Sequence, residues 1–157
     1  GYYALYLSLK EPFVPMYGAG NSMFLTREAE RFLDLPGFSQ RSYPARIEKY
    51  GWSVNQLWCS IYPWIASDIS FPGVIVFVFL VGHFFALAWL DTLMANPFAL
   101  LAFTNFLIML IYFSGNNQMM QSGEGGVAFW VLLFAWLLTR TPIMNRRGLV
   151  DGRSGAE

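Results

Sequence analysis

Charge is what this sequence has least of. Acidic and basic residues make up 13% of the 157, against roughly 25% in ordinary soluble domains. One block is almost empty of them: between 71 and 139 only Asp91 and Glu124 occur, with His83 as the one histidine of the chain. A soluble chain scatters charge over its surface, whereas a bilayer excludes it from spans of about 20 residues. The net charge is zero, which removes any general field for nucleic acid and any polybasic anchor. A single cysteine, Cys59, excludes an internal disulfide framework and a cysteine-rich metal site. Phosphate-cradling glycine loops, nucleophile elbows and metal-ligand clusters are all missing, so neither a metal nor a cofactor is expected. The chain starts at Gly1 without Met or a basic leader, and its apolar residues 1–9 read as the stub of an earlier span in a longer protein.

What is present is apolar and aromatic, 55% and 18% of the chain. Three runs stand out. Residues 71–93 suffice, at about 1.5 Å per residue, to cross a hydrocarbon core of about 30 Å, and Pro72 suits a first helical turn. Residues 97–113 again open on proline and stop at Ser114-Gly115-Asn116-Asn117. The third, 125–139, is the shortest. The expected fold is therefore an all-α integral membrane protein, with three C-terminal transmembrane helices behind a large extracytoplasmic segment, 1–70, of short helices and loops. Arg140, Arg146, Arg147 and Arg153 follow the last run and place 140–157 in the cytoplasm by the positive-inside rule. Lys10, Arg27, Arg31, Arg41, Arg46 and Lys49 pull the other way, but long loops translocate largely regardless of charge.

Within the outer segment, Thr26 is the expected cap of a helix over 27–35, ended by Pro36-Gly37. A second helical stretch, 53–68, would set Trp58, Tyr62 and Ile65 on one interfacial face. Arg27 and Arg31, four apart, admit two readings: helix-surface ion pairs with Glu28, Glu30 and Asp34, or a fork for a diphosphate group that Arg41 and Arg46 extend. Asp68, just ahead of the first run, could take a proton from an attacking hydroxyl or cap the helix that follows. His83 reads either as a functional intramembrane group or as a neutral side chain bonded to a neighbouring helix. Asp91 is expected near the inner face. Glu124, among glycines, lies on an outer loop with Asn116, Asn117, Gln118 and Gln121, a set able to hydrogen-bond a sugar or to make a simple turn.

The layout over roughly residues 40–120 resembles the C-terminal part of the Wzy-type O-antigen polymerases, or oligosaccharide repeat unit polymerases. In those proteins a long outer loop precedes a phrase like Asp-Phe-Gly-x-x-Gly that opens a span with another Gly some nine residues on. Here the phrase reads Asp68-Ile69-Ser70-Phe71-Pro72-Gly73, with Gly82 beyond it and the aromatic stretch Tyr50 to Trp58 ahead. Ile69 and Ser70 depart from the pattern. The resemblance implies a multi-pass enzyme of the bacterial inner membrane, represented here by an inactive fragment. It would join lipid-linked repeat units by glycosyl transfer from an undecaprenyl diphosphate carrier, with a chain-length regulator protein as a further partner. The donor arrives activated, so such an enzyme must mainly neutralise the leaving diphosphate and orient the acceptor. Arg27, Arg31, Arg41 and Arg46 suit the first task; Asp68 as the base, with Trp52, Trp58 and Glu124 as sugar contacts, suits the second. A transporter or flippase piece using His83 or Asp91, and a non-catalytic membrane subunit, are the competing readings.

Overall fold

The computed structural model describes residues 1–53 and 56–140, and these are helical, with no strand among them. A head of short elements sits at one end of three long apolar helices. The head comprises α1 (Tyr2–Ser8), α2 (Met23–Leu33), the four-residue α3 (Tyr43–Arg46) and single 3-10 turns at Ser39–Arg41 and Ile47–Tyr50. The long helices are α4 (Ile61–Leu93), α5 (Pro97–Tyr112) and α6 (Gly123–Thr139). They run antiparallel because the connections are short. Asn96 closes the first by accepting from Phe98 N and Ala99 N, and Ser122 caps α6 by accepting from Gly125 N at 3.1 Å.

The expected boundary at residue 71 is a break inside α4. Ser70 stands at φ 63°, ψ 167°, and Pro72 follows, without the N–H that would reach back four residues. The segment before the break therefore ends with free carbonyls, and Met16 N takes that of Ser67 at 3.2 Å. That segment begins only at Ile61, not at 53. Trp58 projects from the coil ahead of it while Ile65 is buried, so the expected interfacial face does not form, and Val54 and Asn55 lie outside the described residues. Pro63 falls in the first turn, where a missing N–H leaves no helical bond unmade.

The cap of α2 is Ser22 rather than Thr26: Ser22 is extended and its hydroxyl accepts from Leu25 N at 3.2 Å. Thr26 lies inside the helix and donates back to the Ser22 and Met23 carbonyls. The helix ends at Leu33, with Asp34 in the left-handed conformation, so Arg31 occupies the last turn.

α4 is long and apolar enough to cross a membrane; α5 and α6 are shorter apolar helices. Only 17% of the most apolar stretch of α4 is buried inside the molecule. Ile75 and Phe79 are 74% and 72% exposed. Facing inward are smaller or central side chains: Val81, Ala88, Ala99, Ala102, Phe106, Phe129 and Trp136. At the end away from the head, buried Asp91 accepts from Trp136 Nε1 at 2.9 Å and Arg140 Nε at 3.0 Å. The tail arginines Arg146, Arg147 and Arg153 lie outside the described residues.

Candidate functional site

The polar groups that could do chemistry gather where the head meets the bundle. Asp68, in the last turn before the break, does not cap the helix that follows. Its Oδ1 accepts from Gly18 N and Gly20 N, both at 2.8 Å, and its Oδ2 from Asn21 N and Asn21 Nδ2, both at 2.9 Å. Four donors occupy the positions through which a carboxylate normally accepts. The loop they belong to passes close: a Cβ on Gly20 would lie 2.7 Å from Ser67 Cβ. The same loop is stitched to the connection between α5 and α6, since Ser22 Oγ donates to Met120 O and Asn117 Nδ2 to Asn21 O. Asn117 is 1% exposed, so its amide serves this joint and faces no solvent.

Two cavities of opposite character flank the clasp. One, of about 370 Å3, lies between the three long helices and is walled by Ile65, Phe77, Val81, Phe84, Phe106 and Phe129, among others; Gly18, Asn21, Asp68 and Asn117 supply its polar residues. The other, of about 170 Å3, is lined by Gln56, Leu57, Trp58, Cys59, Trp64, Asn116 and Gln121. Trp58 is 64% exposed there and lies against Gly115, where a Cβ would come within 2.7 Å of its ring. Cys59 is buried, and burial pushes its thiol up to about 12.

The four outer arginines have separate surroundings. Arg27 borders a third cavity, of about 140 Å3, together with Ser39, Ser42 and Glu48. Its charge and, chiefly, the hydrogen bonds from Ser39 hold the Glu30 carboxyl below its ordinary value. Arg31 is exposed near Phe32, and Arg41 is exposed over Phe38. Arg46 lies over Tyr43, with Nη1 3.9 Å from Glu11. Glu11 also accepts from Lys49 and Tyr50, and these bonds, the Lys49 one foremost, lower its pKa. Arg46 is thus engaged with Glu11 and Tyr43, whereas Arg27, Arg31 and Arg41 are exposed on α2 and the turn that packs against it.

Trp52 is partly buried in the head beside Ala4, Leu7, Ile47 and Cys59, with the tilted ring of Tyr3 at 5.2 Å, and is less exposed than Trp58. Glu124 is exposed in the first turn of α6, where its charge complements the helix N-terminus. His83 is exposed on the outside of α4, with the Phe84 ring at 5.8 Å; among the described residues the bond to a neighbouring helix is not made. No metal-ligand group of three or more His, Cys, Asp or Glu occurs among the described residues.

Sequence reasoning overlooked Trp64, buried at 3% exposure and shared by both polar cavities. It also overlooked the loop at 18–21 that engages Asp68; only the Gly18-Ala19-Gly20 turn signal hinted at it. No family model, curated protein or solved structure matches the chain.

Proposed function

We propose that this chain is the C-terminal membrane part of an enzyme that polymerises lipid-linked oligosaccharide repeat units, with α4, α5 and α6 as three spans and the head on the outer face. The observation that carries the reading is at Ser70. Its φ and ψ fall in a region populated almost only by glycine, and glycine is the usual residue at this point of the Asp-Phe-Gly-x-x-Gly phrase. A glycine-type conformation at the position where the phrase usually has glycine supports the resemblance.

Two further features support it. An apolar cavity between the helices, with Asp68, Asn21 and Asn117 among its walls, suits the chain of a lipid carrier whose polar end stops at the head. Exposed side chains such as Ile75 and Phe79 cost about 1.5–3 kcal/mol each if left in water, and lipid removes that cost. On this reading the aromatic and amide groups around Trp58 orient the acceptor, and the outer arginines meet the leaving diphosphate after a rearrangement driven by substrate.

One observation favours a second reading. Both Asp68 oxygens are committed to the 18–21 loop, as expected of a structural clasp in a non-catalytic membrane subunit. Deleting the gene in its own host and resolving the surface glycan by size separates the two. Loss of the polymer ladder, with single repeat units accumulating, is expected; an unchanged ladder rejects the polymerase. Restoring the gene with Asp68→Asn then tests the base: a folded, membrane-inserted protein with a normal ladder leaves Asp68 a purely structural role.

A further inference from the structure

The polar cavity beside Trp58 holds more hydrogen-bonding capacity than the protein itself uses. Among the described residues Trp64 Nε1 and Gln121 Nε2 are buried donors without an acceptor, and both residues are among those that wall this cavity, Trp64 bordering the third cavity as well. A buried donor left unpaired costs about 1–3 kcal/mol, so two beside one small site leave a demand for acceptors that a ligand would meet once a small side-chain adjustment uncovers them. Gln56 and Asn116 add amides to the same wall, each offering donors and an acceptor.

The rest of the lining limits what can enter. No Asp, Glu, Lys or Arg is among its described residues, so an ionised ligand would lose its hydration with no opposite charge from them to replace it. The volume, about 170 Å3, is room for on the order of five waters, at ~30 Å3 each, or for one sugar ring. Trp58 presents an exposed indole beside it, and an aromatic face packs against the C–H face of a sugar ring while the amides take the hydroxyls. Gly115 keeps that indole where it is, since any Cβ there would intrude on the ring.

We infer that this cavity binds a single uncharged monosaccharide unit, stacked on Trp58 and hydrogen-bonded by Trp64 and Gln121. The inference deepens the polymerase reading, on which it rests for its biological setting, by assigning an acceptor-side sugar subsite of defined charge preference.

Saturation-transfer NMR on the detergent-solubilised chain, with methyl glucoside, methyl galactoside and N-acetylglucosamine as neutral probes and glucuronate as the charged one, tests it. At least one neutral sugar should bind, at least tenfold more tightly than glucuronate. Trp58→Ala and Gln121→Leu should each weaken that sugar at least tenfold, and Trp58→Tyr, which keeps an aromatic face, should restore most of the loss. Trp58 is a surface residue, so its variants stay folded and keep the experiment decisive even if the Gln121 variant does not. Binding by no neutral sugar, equal binding of glucuronate, or indifference to Trp58→Ala overturns the subsite and leaves only water in the cavity. If neutral sugars bind as expected but deleting the gene leaves the glycan ladder unchanged, the subsite stands and the polymerase falls. A collapsed ladder with no Trp58-dependent sugar binding gives the converse.

Discussion

Ser70 holds a backbone conformation, φ 63° and ψ 167°, that costs a residue with a side chain on the order of 1–3 kcal/mol. Ser70→Gly is therefore expected to raise stability by about 1 kcal/mol, and Ser70→Val, bulkier at Cβ, to lower it. Thermal unfolding in detergent orders the three proteins, and equal midpoints would mean that no strain is stored there. Cys59 makes a different kind of prediction. Its pKa moves from an ordinary 9.0 to about 12, three tenfold steps in thiolate fraction, and the thiolate is the reactive form. Alkylation at pH 7.5 should run far slower than for a free thiol, as mass spectrometry of maleimide-treated protein can follow. Asp68 was legible as a special carboxylate from its place before an apolar run. Its partners were not, because three of the four are backbone N–H groups, all lie 47–50 residues away, and no local side-chain pattern announces them.

At the scale of elements, the bundle is pinned at one end by Asp91, which ties α4 to Trp136 of α6 and to Arg140 just beyond it. Removing one partner of a buried ion pair typically costs about 3–5 kcal/mol, because the other charge stays behind unpaired. Arg140 is only partly buried, its side chain 22% exposed, so Asp91→Ala should cost at or below the lower end of that range, and Asp91→Ala with Arg140→Leu should cost less than the sum of the single changes; unfolding in detergent supplies the cycle. In the head, Glu11 anchors the turn that carries Lys49 and Tyr50. Its pKa is lowered from an ordinary 4.5, so the stability it contributes is complete above that value and is lost as pH falls through the folded one. Acidifying from pH 6 to pH 3 should loosen this corner, and Glu11→Gln should abolish that acid sensitivity, both visible in hydrogen exchange at 47–50. The long helices were readable from length and apolarity. The start of α2 was misread by four residues because Thr26 and Ser22 are both chemically competent caps, and only the extended backbone at Ser22 selects between them.

For the whole molecule, the decisive test is sidedness. If α4, α5 and α6 all span, as the proposed function requires, Arg140, Arg146, Arg147 and Arg153 would hold the C-terminal tail in the cytoplasm by the positive-inside rule, and the antiparallel bundle would carry the head to the other face. A reporter fused after Glu157 should be active only as a cytoplasmic marker, and a cysteine introduced at exposed Tyr17 should react with an impermeant reagent from outside. The opposite pair of results inverts the topology and removes any extracytoplasmic active site. The chain's apolar runs, its proline-marked helix starts and its uneven charge were enough by themselves to determine an all-helical protein with at least one membrane-length helix, because those signals are local and each residue carries its own share. Tertiary structure alone decided that Asp68 is clasped, that Arg46 meets Glu11, and that Trp58, Trp64 and Gln121 wall one cavity. Those outcomes depend on which distant segments meet, and hydrogen-bond partners and cavity walls belong to the meeting rather than to any one stretch of chain.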